Sequence, residues 1–437
     1  MITDSNIVGI IADDLTGAND TALQFKLNGA DTNILLNKNI QLIESGNPQA
    51  WAISTESRNI DPALAFEKVK DAVELFVEKI NPDYFYKKID STLRGNIAVE
   101  VMSVLEVLGL DCALIIPAFP QEGRITVGGY QLLKGIPIER TEMAADPHSP
   151  ITESHLPTLL KNQLGHNLEH LVGMIDLKTV LDGAGPILIK LNELISDGKK
   201  IIIADSVSET DIEQITLAMR KSEYRILPAG NAAAANILSN EWFPKTDDFK
   251  ADIKIPKMPK FIVSGSATHI TSNQIRTLAN NCIYCEKTKI YELDTDNILN
   301  GVSEELVSDI IENLNNVGIV LVHTSNLFKN FNGFNSSMPS DLTKSGLANM
   351  ITDYLAELTK QVLSRISAVL ITLGGETSYK CCDAINASQL KLVDEVLPAI
   401  ALSQNINSTQ YIVTKSGNLG RETTIMDILR YFENHED

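Results

Sequence analysis

Asp13 and Asp14 stand side by side where an apolar run, Ile7 to Ala12, gives way to Leu15-Thr16-Gly17-Ala18-Asn19-Asp20. Two carboxylates at the end of a buried strand are costly to leave unpartnered, so such a pair is expected to face a cleft where a ligand needs it. The plainer reading is that one of them caps the helix expected over Thr21 to Leu27, a task aspartate performs well. Capping accounts for only one of the two. A second cluster, Lys88-Ile89-Asp90-Ser91-Thr92-Leu93-Arg94, extends the inventory. Asp13, Asp14, Asp90, Ser91 and Thr92 can take the hydrogen bonds of a polyol, and Arg58, Lys88 and Arg94 can hold a carboxylate. A hydroxy acid fits that set. For Arg94 the alternative is a surface salt bridge. Strand alternation from Tyr84 and Tyr86 is expected to turn Lys87 to solvent and Lys88 inward.

The second half of the chain offers different chemistry. Ser264-Gly265-Ser266-Ala267-Thr268, Gly374-Gly375-Glu376-Thr377-Ser378 and Lys415-Ser416-Gly417 each follow an apolar run and precede a helical pattern. Glycine lets the backbone approach an anion, and the free amides of a helix start favour phosphate, so the three turns suggest a polyphosphate cradle to which Lys415 adds a charge. The alternative for any one of them is an ordinary strand-to-helix turn. Neither GxxxxGK[ST] nor GxGxxG occurs, which argues against a Walker-type or dinucleotide site. A further segment, Pro117 to Pro150, is rich in Pro and Gly and reads as a site wall or lid without a long regular element. Arg124, Tyr130 and His148 could meet substrate there, although a histidine flanked by prolines is more often structural; His269 has the same status.

Strands must position these groups. Asn6–Ala12, Ala50–Ser54, Tyr84–Lys88, Cys112–Pro117 and Lys200–Ala204 read as strands, with helical periodicity over Pro62–Ile80 and Asn96–Gly109. Four of them run into polar clusters: Asp13-Asp14, Ser54 to Arg58, Lys88 to Arg94 and Asp205-Ser206. The second half repeats the scheme with strands over Lys260–Val263, Ile319–Val322, Ser367–Leu373 and Gln410–Val413. The expectation is an α/β fold of two α/β domains with largely parallel sheets and an interdomain active-site cleft. Residues 1–240 form the first domain, 241–259 the linker and 260–437 the second domain, the linker being drawn from the prolines, Trp242 and Phe243 around it. The polar stretch Asn326 to Ser345 is long enough for a mobile or partner-contacting loop.

Length and composition bound these readings. A chain of 437 residues with 44% hydrophobic and 21% charged residues suits a two-domain globular enzyme. A formal charge of −19 argues against a nucleic-acid partner. No leader or membrane span is visible, so a cytoplasmic protein is expected, with a homo-oligomer as one admissible assembly. Five cysteines suit a reducing compartment. Cys282-x-x-Cys285 with the adjacent pair Cys381-Cys382 fits tetrahedral zinc poorly, so no metal-binding residues are assigned and buried or semi-buried thiols are expected.

Ile11-Ala12-Asp13-Asp14-Leu15-Thr16-Gly17, Lys87-Lys88-Ile89-Asp90-Ser91-Thr92-Leu93-Arg94-Gly95-Asn96, Pro117-Ala118-Phe119-Pro120 and Gly374-Gly375-Glu376-Thr377 together resemble the four-carbon acid sugar kinase family, in family order and over nearly the whole chain. The resemblance implies an N-terminal domain for the sugar acid, a C-terminal domain for ATP with Mg²⁺, and phosphoryl transfer to the 4-hydroxyl. The form of the Lys88 to Asn96 segment looks like the D-threonate and D-erythronate branch; 3-oxo-tetronate, 4-hydroxythreonine or a non-catalytic sugar-acid sensor are the alternatives. It implies Asp14 or Asp90 as the catalytic carboxylate, Asp13, Arg58, Lys88, Ser91, Thr92 and Arg94 at the substrate, and Ser264, Gly265, Ser266, Gly374, Gly375, Glu376, Thr377, Lys415, Ser416 and Gly417 at the nucleotide. Two departures stand out: Tyr379 and Lys380 replace small residues after the Gly-Gly-Glu-Thr turn, and Pro228 to Ala233 is looser than the family's Gly-Ser-Ala-Gly pattern.

Overall fold

The computed structural model describes residues 6–36, 48–146, 149–243, 253–327 and 343–436. They form two compact units, residues up to 243 in the first and from 253 onward in the second. Each is an α/β body.

The first unit is built on strands β1 (Val8–Ala12), β2 (Thr32–Leu35), β3 (Ala50–Ser54), β4 (Tyr84–Lys88) and β5 (Cys112–Ile116). A short hairpin ribbon follows as β6 (Arg124–Val127), β7 (Tyr130–Leu133) and β8 (Ile136–Pro137). The strands β9 (Val172–Ile175), β10 (Ile201–Ala204) and β11 (Ile226–Gly230) complete the unit. The main sheet is parallel in the order β2-β3-β1-β4-β11-β5-β10-β9. Every residue of β1, β3 and β5 is buried, as a parallel sheet covered by helices on both faces requires. The chain runs outward from β1 to β2 and β3, then returns past β1 to β4. The order therefore reverses beside β1, where a parallel sheet opens a crevice at its carboxyl edge.

The second unit uses β12 (Lys260–Ser264), β13 (Thr288–Glu292), β14 (Ile319–His323), β15 (Val369–Leu373), β16 (Gln389–Leu397), β17 (Ile400–Asn405) and β18 (Tyr411–Lys415). Its strands run β13-β14-β12-β15-β18 in parallel, then turn antiparallel through β17 and β16. Ile262, Leu321, Ile371 and Val413 pack with Phe432 of the amphipathic helix Thr424–His435 in one core. The order reverses between β12 and β15.

Several expectations change. Trp242, assigned to the linker, ends the helix Ala232–Trp242 and stacks on Tyr84 at 4.7 Å, while Phe243 meets Phe25 edge-on at 5.9 Å; apolar packing, which composition does not reveal, ties both to the first unit. Pro117 to Pro150 holds no long regular element among its described residues, yet its short strands β6, β7 and β8 form an antiparallel sheet, since two-residue glycine turns such as Gly128-Gly129 close hairpins well. Cys112, Cys381 and Cys382 are buried, but Cys282 and Cys285 are exposed. His148 and most of Asn326 to Ser345 lie outside the described residues. Among the described residues no helix is long and apolar enough to cross a membrane.

Candidate active site

Three of the four polar clusters come together because β3, β1 and β4 are neighbours. Asp14 is the N-cap of helix Leu15–Leu27: Oδ1 accepts from the Gly17 amide at 2.8 Å and Oδ2 from the Thr16 hydroxyl at 2.7 Å. Capping and site geometry coexist, because Oδ2 also accepts from Arg58 Nη1 at 2.7 Å. Arg58 arrives from the loop after β3 and clasps Asp13, with Nε 2.7 Å from Oδ2 and Nη2 2.9 Å from Oδ1. The same Nη2 lies 3.8 Å from Asp90 Oδ1. Burial opposes ionisation of Asp13, yet Arg58, with Lys87 and Lys88 behind it, holds the carboxyl below its ordinary value.

Asp90 is bound still more tightly. Its Oδ2 accepts from the Thr92 hydroxyl at 2.5 Å and from Arg94 Nε at 2.8 Å, and its Oδ1 accepts from Arg94 Nη2 at 3.1 Å. Against the effect of burial, Arg94 and Arg58 hold this carboxyl well below the usual carboxylate range. Arg94 reaches onward to Asp146 at 2.9 Å, so its pairing is internal to the site and not a surface salt bridge. The turn that carries these groups is strained, since buried Leu93 sits at φ +65° and Gly95 at φ +90°. Arg58 and Arg94 also line an open cavity of about 300 Å³ with Asn59, Ser149 and Thr152.

The expectation for Lys87 is overturned. Lys87 is fully buried, with Nζ 2.8 Å from Glu100 Oε2 and 2.7 Å from the Lys88 carbonyl. Both faces of β4 are covered, so alternation does not lead to water, and a charge facing inward must be paired. Lys88 is buried on the other face, where Nζ donates to the Ile89 carbonyl at 2.9 Å. A methyl group on Gly17 would sit 2.6 Å from Asp14 Oδ1 and 3.0 Å from that ammonium, so the first helix lies close over Lys88. Ser91 lies beside Thr92 in the same turn, half-buried.

Asp205-Ser206 does not join the cluster. It follows β10, separated from β4 by β11 and β5, and Asp205 accepts from the amides of Gly128, Gly129 and Leu177 at 2.7, 2.9 and 3.0 Å. Its carboxylate anchors the hairpin ribbon. Tyr130 stands exposed against His155 at 4.8 Å. The looser Pro228 to Ala233 proves to be a central strand and helix start, with Asn231 capping the helix and its amide donating to the Pro117 and Ala118 carbonyls at 2.7 and 3.0 Å.

Sequence reasoning passed over Glu56 and Asp20. Glu56 sits at φ +46° after β3, where Oε1 accepts from Ser54 Oγ at 2.5 Å and from the Leu15 amide at 2.9 Å. Burial and the nearby Asp14 push its carboxyl up to about 8. The signal available for Glu56 was its place inside the Ser54 to Arg58 cluster, and for Asp20 its place as the third aspartate in the opening run.

In the second unit, β12, β15 and β18 are adjacent and parallel, which brings their three turns to one edge. They fit closely. A methyl group on Gly265 would fall 2.5 Å from Thr377 Oγ1, and one on Gly417 2.5 Å from Ser266 Oγ. Thr268 and Thr271 hydroxyls both donate to the Gly417 carbonyl at 2.8 Å, and the Gly374 amide donates to the Lys415 carbonyl at 2.8 Å. Helix Gly375–Ala384, whose first residues are Gly375 and Glu376, begins at Gly374 with φ +121° and no side-chain cap, and a helix start of this kind favours an anion. Ser264 Oγ is buried without a partner. Lys415 is fully buried; Nζ donates to the Ser416 carbonyl at 2.8 Å, no carboxylate among the described residues pairs with it, and burial pushes the amine down to about 7. His269 is exposed at the start of its helix, and Lys380 pairs with Asp353 on the flank of helix Gly375–Ala384. Among the described residues no group of three or more His, Cys, Asp or Glu side chains could hold a metal ion.

Comparison with known proteins matches these units one to one. Residues 8–238 match the sugar-binding N-terminal domain of a protein family, and residues 261–425 match its nucleotide-binding C-terminal domain. A D-erythronate kinase of Heliobacterium modesticaldum is 30% identical, covering 98% of this chain and 97% of its own length. A D-threonate kinase of Salmonella typhimurium is 28% identical over 97% and 98%, and a 3-oxo-tetronate kinase of Actinobacillus succinogenes 24% over 95% and 97%. A solved structure from Haemophilus influenzae shares the fold at TM-score 0.72 and 23% identity, covering 97% of this chain and all of its own. With a sugar-binding unit and a nucleotide-binding unit both matched in order, the chain belongs to the four-carbon acid sugar kinase family.

Proposed function

We propose that the protein transfers the γ-phosphoryl group of ATP to the 4-hydroxyl of a four-carbon sugar acid, D-threonate or D-erythronate, with the first unit holding the acid and the second the nucleotide. The observation that carries this reading is the buried, acid-free Lys415 among three glycine and hydroxyl turns, one of them opening a helix with no side-chain cap, an arrangement that asks for an anion of high charge. Ser264, Gly265, Ser266, Gly374, Gly375, Glu376, Thr377, Lys415, Ser416 and Gly417 line the nucleotide. Phosphate oxygens would take the Gly375 amide at the helix start and restore a full charge to Lys415. With no ready-made set of metal ligands among the described residues, Mg²⁺ would be held chiefly by the nucleotide phosphates and water, where it would supply charge neutralisation for the transfer.

In the first unit, the cavity edges of Arg58 and Arg94 receive the carboxylate of the acid, and Lys88, Ser91 and Thr92 its hydroxyls. Asp13, Asp14 and Asp90 keep the two guanidinium groups in place, so the binding geometry exists before the substrate arrives and ordering costs less on binding. Of the two carboxylates expected to act on the hydroxyl, Asp14 and Asp90, both are spent on caps and guanidinium groups, which suits orientation of the substrate. The Lys88 to Asn96 segment and the 30% and 28% identities to D-erythronate and D-threonate kinases support these acids over 3-oxo-tetronate. A coupled assay of ADP release over D-threonate, D-erythronate, 3-oxo-tetronate and 4-hydroxythreonine tests the reading. The expected outcome is turnover with one of the first two; tight binding of an acid with no ADP release would instead make the protein a sensor.

A further inference from the structure

Asp20 lies in the second turn of helix Leu15–Leu27, on the face it shares with Gly17 and hence with the Lys88 ammonium below. It differs from the other site aspartates in one respect. Asp13, Asp14 and Asp90 have both oxygens engaged by guanidinium groups, amides or hydroxyls, whereas Asp20 Oδ1 is buried and accepts no hydrogen bond. The residue as a whole is half-buried, and its Oδ1 is the buried end.

A second unpartnered group is near enough for its charge to act on Asp20. Arg124 of β6 has a buried Nε with no acceptor, and its guanidinium is only loosely held, with Nη1 3.9 Å from Glu122. Lys88, Arg124, Asp14 and Glu122 are the charged groups that act on the Asp20 carboxyl, and the Tyr86 hydroxyl of β4 lies within its field while donating to the Asn231 carbonyl. An acid and two cations, contributed by a helix, β4 and β6, are thus close enough for their charges to act on one another, with Asp20 Oδ1 and Arg124 Nε both unpartnered.

Resting on the kinase reading above, we propose that Asp20 is the catalytic base, its Oδ1 taking the proton of the acceptor hydroxyl, with Arg124 and Lys88 beside the reacting oxygen. The O–H bond breaks as the oxygen bonds to the γ-phosphorus. The bond from that phosphorus to the β,γ-bridging oxygen breaks, ADP leaves with the electron pair, and the proton passes from Asp20 to water. A base works best when its affinity for the proton matches the working pH and a lone pair is free. Burial, countered by Lys88 and Arg124, pushes Asp20 up to about 6, so it is ionised at neutral pH yet basic, while Asp90 is held far too acidic for the task.

The test uses Asp20→Asn in the full chain, assayed by ADP release with saturating acid and ATP. Turnover is expected to fall by at least about 100-fold, with KM for both substrates nearly unchanged and the acid limb of the kcat/KM profile near pH 6 abolished. Turnover within threefold of wild type would overturn the proposal. Should that variant fail to fold, Arg124→Met decides: Arg124 lowers the Asp20 pKa, so the acid limb must move to higher pH, and an unmoved limb refutes the assignment. Wild type that phosphorylates none of the four acids would sink the kinase reading itself, an outcome distinct from an active wild type matched by an active Asp20→Asn.

Discussion

The two units prepare for their ligands in opposite ways. In the first, the proposed binding groups already hold one another: Arg58 spans Asp13 and Asp14 and Arg94 spans Asp90 and Asp146, while the neighbouring Lys87 is paired with Glu100. In the second, among the described residues, the groups are left open: a helix start with no side-chain cap, a partnerless Ser264 hydroxyl and a lysine with no counter-charge. The difference follows from the ligands. A sugar acid is small and carries one charge, so recognition needs a rigid array whose geometry is set beforehand. A polyphosphate brings enough charge to satisfy a site that is poor in its absence. The first unit should therefore lose stability when its site is cut, and the second should gain it.

The largest effect is expected from Arg58→Met. It leaves buried Asp13, Asp14 and Asp90 without their shared cation, and breaking one side of a buried ion pair costs about 3–5 kcal/mol. The sign of the pH dependence is fixed by the direction of the shifts. Asp13 and Asp90 titrate below their ordinary value of 3.8 in the folded protein, so their pairing contributes fully above that value and is lost as pH falls through the folded pKa. The destabilisation by Arg58→Met, followed by urea unfolding, should be greatest at neutral pH and shrink in acid. An equal loss at all pH would mean that packing of the side chain, not charge, carries the effect.

Lys415→Met is the counterpart. Lysine loses its proton at about 7 in the folded protein against an ordinary 10.5, so the native state binds fewer protons than the unfolded chain between those values and wild-type stability rises with pH across that window. Methionine matches the volume and removes the buried charge, so the ligand-free variant should melt higher than wild type, most clearly below pH 7, with the gain fading toward 10.5. ATP affinity measured by calorimetry should fall at least tenfold, while sugar-acid binding is retained. A variant that melts lower and still binds ATP would erase the contrast between the units.

That contrast was partly legible in the sequence. The strand ends carrying Asp13, Lys88, Ser264 and Lys415 were marked by apolar runs breaking into polar residues, and the structure puts the first three beside the two points where strand order reverses and Lys415 on β18, the next strand after β15. What could not be read was pairing across the sheet. β11, Ile-Leu-Pro-Ala-Gly, hides a central strand behind proline and small residues, yet Gly230 is needed because a methyl group there would meet the Ile116 carbonyl at 2.6 Å. The burial of Lys87 was invisible for a related reason, since its partner Glu100 lies on a helix whose register against β4 is set by tertiary packing. Asp20 was passed over because the helix, expected from Thr21, begins at Leu15, which turns Asp20 onto the face it shares with Gly17.

A smaller effect is expected at the turn after β15. Gly374 adopts φ +121°, and a methyl group would also press on Thr377 Oγ1 at 3.1 Å. Backbone strain of this kind costs about 1–3 kcal/mol, so Gly374→Ala should weaken ATP binding on the order of tenfold while leaving sugar-acid binding measurable by calorimetry. Loss of both would signal damage beyond the turn and remove the independence of the two units' sites.

The smallest effect is expected at Thr268, and its size tells scaffold from ligand contact. Thr268 caps helix His269–Ala279 by accepting from the Thr271 amide at 3.3 Å, and its hydroxyl donates to the Gly417 carbonyl at 2.8 Å. Loss of such a cap costs about 1 kcal/mol. Thr271 holds the same carbonyl at 2.8 Å, so after Thr268→Ala the turn that carries Gly417 keeps one of its two anchors. ATP affinity should then change by less than about threefold, well under a tenfold step of 1.4 kcal/mol. The double variant Thr268→Ala/Thr271→Val removes both anchors and should cost more than the sum of the singles, because two groups sharing one acceptor couple. If Thr268→Ala alone abolished nucleotide binding while the melting temperature held, the hydroxyl would be a direct phosphate ligand, and the second unit would recognise ATP through side chains as much as through its backbone.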